Sequence, residues 1–159
     1  MGFLKGRIED YSSPLAGVPA RLYTGYFFLK YGLEKFNGGF GGAALHETLT
    51  KWAAGPAYDL YIPFLLKVAI PHAGLFAHLV MFGEIVVGGA LLLGCATRLA
   101  AIGGVFLCLN FLLASGAPIL SVEQPVVFIL LLATVSVSAA GRVLGLDFFL
   151  KRLLPRWAA

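Results

Sequence analysis

Three stretches of this chain, residues 74–93, 99–115 and 126–140, are apolar almost throughout, and each approaches the length of a membrane-crossing helix. A helix needs about 20 mainly apolar residues to cross a hydrocarbon core about 30 Å thick, because it rises only about 1.5 Å per residue. Only 13% of the 159 residues are charged and 59% are hydrophobic. A soluble domain carries about 25% charged residues to keep its surface hydrated. The charge available here is too little for that, so lipid is expected to coat much of the surface. A fourth stretch, 18–36, is less apolar because it holds Arg21, Lys30, Glu34 and Lys35. It is predicted to cross as well, with Arg21 snorkelling towards one interface and Lys35 towards the other. The predicted fold is all-α, one integral membrane domain over 1–159 built as a four-helix bundle with interfacial amphipathic helices.

Two segments have the interfacial pattern. Over 43–54, Leu45, Leu49 and Trp52 recur at helical spacing while His46, Glu47 and Lys51 occupy other faces. Over 146–157, Phe149, Leu150, Leu153 and Trp157 alternate with Lys151, Arg152 and Arg156. Such helices are suited to the plane of the membrane surface. Gly55–Pro56 is expected to end the first of them, a short helix is expected over 58–68, and Pro71 is expected to open the next span in its first turn.

The net charge of +4 does not point to nucleic acid, because the basic residues flank apolar runs instead of forming one patch. They report topology. With the N-terminus in the cytoplasm, seven basic residues lie inside (Lys5, Arg7, Arg98, Arg142, Lys151, Arg152 and Arg156). Three lie outside (Lys35, Lys51 and Lys67). The excess places both termini in the cytoplasm. Residues 1–20 lack the apolar centre of a signal peptide, so the first span is expected to be its own insertion signal.

Glu84 constrains the chemistry most. It falls near the middle of 74–93, where an ionised carboxylate must be paired, protonated or facing a polar cavity. Lys30 is its expected partner by depth: it lies about 13 Å past Arg21, and Glu84 about 15 Å before Gly94. With Asn110, the two would form a polar centre if their faces converge. A proton relay or a carboxylate beside a substrate is one reading of Glu84, and a structural ion pair is the other. Gly25 and Gly32 share a helix face with Arg21, Phe28 and Lys35, which marks a close helix contact. The aromatic first span, with Tyr23, Tyr26, Phe27, Phe28, Tyr31 and Phe36, suits packing and interfacial anchoring, and it also offers surface for a flat ring.

Other chemistries lack support. His72 and His78 are six residues apart, on different helix faces, so no metal site is expected. Cys95 and Cys108 are thirteen apart with no C-x-x-C; Cys108 reads as a core residue and Cys95 as lying near a helix end. Phosphate-loop, H-E-x-x-H and Gly-x-Ser-x-Gly motifs are absent, which removes hydrolases and nucleotide-driven pumps.

The segments Gly32-Leu-Glu-Lys35-Phe, Gly83-Glu84, Gly88-Gly89-Ala-Leu-Leu-Leu-Gly94 and Thr97-Arg98-Leu-Ala-Ala resemble the signature of the DoxX family. So does Gly141-Arg-Val-Leu-Gly-Leu-Asp147. The resemblance implies a four-span membrane protein of bacterial or archaeal type. The family takes its name from the membrane subunit of a thiosulfate:quinone oxidoreductase. It implies motif places at Lys35, Glu84, Gly88, Gly94 and Arg98, with Lys35 and Glu84 in a polar centre. It further implies quinone or sulfur redox chemistry, with catalytic cofactors held by partner chains and none by this chain alone apart from a quinone. Relatives that work through paired cysteines differ from this chain, which lacks the pair. The expected role is thus a subunit of a quinone-linked oxidoreductase in the cell membrane, in contact with lipid and with other subunits or further copies of itself. The alternative is a non-catalytic scaffold in a respiratory or photosynthetic assembly, for which lipid-facing Phe106 and Phe128 would mediate association. A carrier is disfavoured by the lack of a helix break at mid-membrane.

Overall fold

The computed structural model describes residues 17–119, 121–138, 140–142 and 145–150. Among them all regular structure is helical. The order is α1 (Gly17–Asn37), α2 (Gly42–Ala53) and α3 (Ile62–Phe64), which runs into a π-turn (Leu65–Ala69). Then come α4 (Ala73–Leu93), α5 (Thr97–Ser115), α6 (Gln124–Ser138), a 3-10 turn (Ala140–Arg142) and the short α7 (Asp147–Leu150). By length and composition, α4 and α5 are each able to cross a membrane. The expected interfacial helix over 146–157 lies mostly outside the described residues.

The four long helices pack in a closed cycle, α1 on α4, α4 on α5, α5 on α6 and α6 back on α1, with α1 and α4 in the most extensive contact. That seam is antiparallel. Gly25 lies against Leu91 and Leu92, Gly88 against Leu29, and Gly32 against Ile85. A Cβ on Gly88 would sit 2.7 Å from the Leu29 Cα, so the two backbones approach as closely as they do only because the position has no side chain. Gly94 ends α4 in the left-handed region at φ 64°, where glycine avoids the Cβ clash of other residues. The core between the four helices is built from Phe28, Val87, Leu91, Ala101, Cys108, Phe128, Leu132 and Val135.

The packing departs from the sequence expectations at several residues. Phe128 does not face lipid: it is 5% exposed and its ring lies 5.8 Å from that of Phe28, whereas Phe106 is 65% exposed as expected. Arg21 does not snorkel. It is buried, and its Nη1 donates to the Ala140 carbonyl at 2.8 Å, because the face it shares with Gly25 is turned into the bundle. The apolar face of α2 does not rest on a membrane surface either. Leu45 and Leu49 are buried in a second cluster with Ala57, Leu65, Ala69, Ala77 and Ala114, so the amphipathy is satisfied inside the protein. The opposite face stays exposed, and Lys51 donates to Glu47 at 2.7 Å, which holds that carboxyl below the usual carboxylate range. Pro71 precedes α4 by two residues instead of standing in its first turn.

A buried latch joins the C-terminal side to the helix ends. Asp147 is fully buried and accepts from the Ala96 amide at 2.6 Å and the Thr97 amide at 2.9 Å. It thereby caps α5 from 50 residues away, next to Ala96 in a left-handed conformation at φ 47°. No local pattern at the start of α5 announces a cap supplied from so far along the chain.

Candidate functional site

The α1–α4 seam places Lys35 beside Glu84. The Lys35 Nζ donates to Glu84 Oε1 at 2.6 Å and to Oε2 at 2.5 Å. Glu84 is 4% exposed, and the Lys35 side chain is 25% exposed. The ammonium is also within 5.8–6.0 Å of the ring centres of Tyr31, Phe40 and Phe111, which attract a cation through their negative faces. A buried carboxylate is thus held by a cation that is itself enclosed by three aromatic rings.

Lys30, the partner expected by depth, is not there. It pairs with Glu34 at 3.8 Å on the exposed face of α1. The reason is rotation, not depth: five residues along a helix turn the side chain by about 140° relative to Lys35. Gly25 and Gly32 carried the signal, since Lys35 shares their buried face and Lys30 lies nearly opposite. Asn110 is likewise apart from Glu84. Its Oδ1 accepts from the Tyr61 hydroxyl, and its Nδ2 donates to the Phe106 carbonyl at 2.7 Å. On α5 the residue turned towards Glu84 is Cys108, and Asn110, two positions on, points about 160° away from it. The triad of Lys30, Glu84 and Asn110 therefore does not assemble, whereas Lys35 and Glu84 do.

The pair forms part of the wall of a cavity of about 450 Å³. Phe28, Tyr31, Trp52, Phe111 and Phe128 supply its flat aromatic surfaces, with Cys108 behind the pair and Ser115, Glu123, Gln124 and Pro125 towards the α5–α6 connection. The Ser115 hydroxyl is buried without a hydrogen-bond partner among the described residues. A buried polar atom in that state is open to a group arriving in the cavity. The volume falls within the range of small-molecule sites, about 300–1,000 Å³. Aromatic slabs, one cation, two carboxylates and one unpaired hydroxyl fit a planar ring bearing oxygen atoms. Trp52 and Phe111 reach this wall from α2 and α5, and nothing in their local sequence marks them for it.

His72 and His78 each donate Nδ1–H to the carbonyl four residues earlier, at 3.0 and 2.7 Å, so both are occupied by local backbone. Among the described residues no three of His, Cys, Asp and Glu gather at one place.

A family model described as DoxX matches residues 17–117, which covers α1 to α5 and both members of the ion pair. No curated protein and no solved structure matches the chain.

Proposed function

The chain belongs to the DoxX family, and from that membership we propose that it is a redox-associated membrane subunit whose aromatic cavity receives a quinone ring. The observation that carries this reading is the Lys35–Glu84 pair set into an aromatic wall. A quinone supplies two-electron chemistry coupled to proton uptake and release. In this reading Lys35 directs an N–H at a ring oxygen, Glu84 holds or yields the proton that balances charge there, and Phe28, Tyr31 and Phe128 confine the ring plane. The electrons come from cofactors on partner chains.

The same proposal sets the four long helices across the cell membrane with both termini in the cytoplasm. The excess of basic residues at the α4–α5 turn and the two chain ends supports that orientation. The cavity mouth near Trp52 and Glu123 then faces the outer side.

The test uses full-length protein carrying Trp157→Phe, so that Trp52 is the single indole, in lipid nanodiscs titrated with a short-tailed quinone. Saturable quenching is expected, weakened at least tenfold by Lys35→Met and by Glu84→Gln. Absence of quenching overturns the quinone reading. In native membranes Glu84→Gln is expected to lower quinone-linked turnover while the chain still assembles; unchanged turnover removes Glu84 from the chemistry and leaves an accessory role.

A further inference from the structure

A second cavity, of about 320 Å³, lies on the other side of Trp52 and Phe111, which border both spaces. No charged side chain lines it. Its polar atoms come mainly from one pair, the Tyr61 hydroxyl donating to Asn110 Oδ1, with Asn110 Nδ2 donating to the Phe106 carbonyl. Those bonds use the Tyr61 proton and one Asn110 N–H. They leave the Tyr61 oxygen as an acceptor and the second Asn110 N–H as a donor. One neutral donor beside one neutral acceptor matches an alcohol oxygen. An ionised head would lose its hydration there with no opposite charge to replace it.

The rest of the wall is shaped to leave room. The Ile70 amide donates to the Leu65 carbonyl at 2.9 Å, a wider turn than that of an α-helix. Leu65 and Ala69, four residues apart on this turn, both face inward, at 1% and 3% exposure. Ala69 and Ala114 are small where Leu49, Phe64 and Phe76 surround them, so the space stays open. At the rim, Leu79 and Phe106 are 56% and 65% exposed, on the two helices apolar enough to lie in a bilayer. The opening therefore faces the medium in which hydrocarbon chains are dissolved. Asn110 lies five residues before the end of α5, about 8 Å below the helix end, a depth suited to the polar head of an amphiphile.

We infer that this cavity binds one neutral long-chain amphiphile, with its hydroxyl on Tyr61 and Asn110 and its hydrocarbon against Leu65, Ala69, Phe76 and Ala114. The site is separate from the ion pair and does not depend on quinone binding.

The test is photolabelling of the full chain in nanodiscs with a long-chain alcohol carrying a diazirine in mid-chain. Saturable labelling is expected on peptides spanning 61–69 and 106–114, competed by unlabelled hexadecanol and not by hexadecanoate at alkaline pH. Ala114→Leu, which fills the space, is expected to reduce labelling at least tenfold. Tyr61→Phe, which removes the acceptor and changes little volume, is expected to weaken competition several-fold while circular dichroism stays unchanged. If Ala114→Leu does not fold, Tyr61→Phe and Asn110→Leu decide the matter. Labelling that does not saturate, that spreads over the exposed faces of α4 and α5, or that ignores the Tyr61 and Asn110 variants overturns the inference. Equal competition by hexadecanoate overturns the neutral head.

Discussion

Removing the two members of the Lys35–Glu84 pair one at a time is expected to have unequal effects, and removing both is expected to cost less than removing the lysine. The Glu84 side chain is 5% exposed and the Lys35 side chain 25%. Lys35→Met strands a carboxylate in the bundle, and losing one partner of a buried pair costs about 3–5 kcal/mol. Glu84→Gln strands an ammonium that retains three ring faces, each worth about 0.5–1 kcal/mol, and a flexible stem able to reach water. Its cost should be about 1–2 kcal/mol. The double variant leaves no unpaired charge and places a methionine among Tyr31, Phe40 and Phe111, so its loss should be within about 2 kcal/mol of the native protein. The cycle then shows a coupling energy of at least about 2 kcal/mol. Denaturation by added SDS in mixed micelles, followed by Trp52 fluorescence in the Trp157→Phe background, measures all four proteins. Additivity within about 0.5 kcal/mol would mean the two charges do not act as a pair. A larger loss for Glu84→Gln than for Lys35→Met would mean the carboxylate is not the trapped member.

Four further substitutions test the frame around that pair. Gly88→Ala places a Cβ 2.3 Å from the Leu29 N and 2.7 Å from its Cα, where ordinary contacts lie at 3.4–4 Å, so α1 and α4 must part by about 1 Å. A loss of about 1–3 kcal/mol is expected, together with weaker quinone quenching, since Glu84 is one turn away. Gly83→Ala, whose Cβ would meet only the two Leu107 methyls at 3.5 and 3.7 Å, should be tolerated, and equal losses at both positions would refute the close contact at Gly88. Asp147→Ala removes two amide contacts at the start of α5 and is expected to cost about 1–3 kcal/mol. Ala96→Gly, relieving a left-handed backbone, should add about 1 kcal/mol. Thermal unfolding in detergent ranks these proteins, and an Asp147→Ala variant as stable as the parent would show that the latch contributes nothing.

Much of the architecture could be read from residue order. The apolar stretches marked the long helices to within a few residues, because the 3.6-residue repeat and the punctuation by Gly and Pro are local properties. Membership of the DoxX family was visible in short motifs around Lys35, Glu84 and Gly88. The site was partly readable. Glu84 stood out since a carboxylate in an apolar helix demands an explanation, and Lys35 was marked by the motif and by the glycine face it shares. Lys30 was favoured over it by counting depth alone, which ignores the turn of the helix. Phe128, taken for a lipid contact, lies in the core, for in an apolar helix the inward and outward faces carry the same kind of side chain. Hydrophobicity separates faces only when one of them meets water.

By itself, the order of residues determined that this chain is helical, that lipid is the natural environment of α4 and α5, and that a carboxylate at position 84 needs a partner. Each of these follows from local chemistry: hydrogen bonds within one helix, apolar area along it, and the cost of an unpaired charge. Only the tertiary structure decided which cation answers Glu84, that Trp52 and Phe111 wall off two cavities, that α2 packs on protein, and that Asp147 caps a helix 50 residues before it. Those facts depend on the rotation and register of packed helices. Packing settles them through close contacts such as Gly88 against Leu29, between residues far apart in the chain.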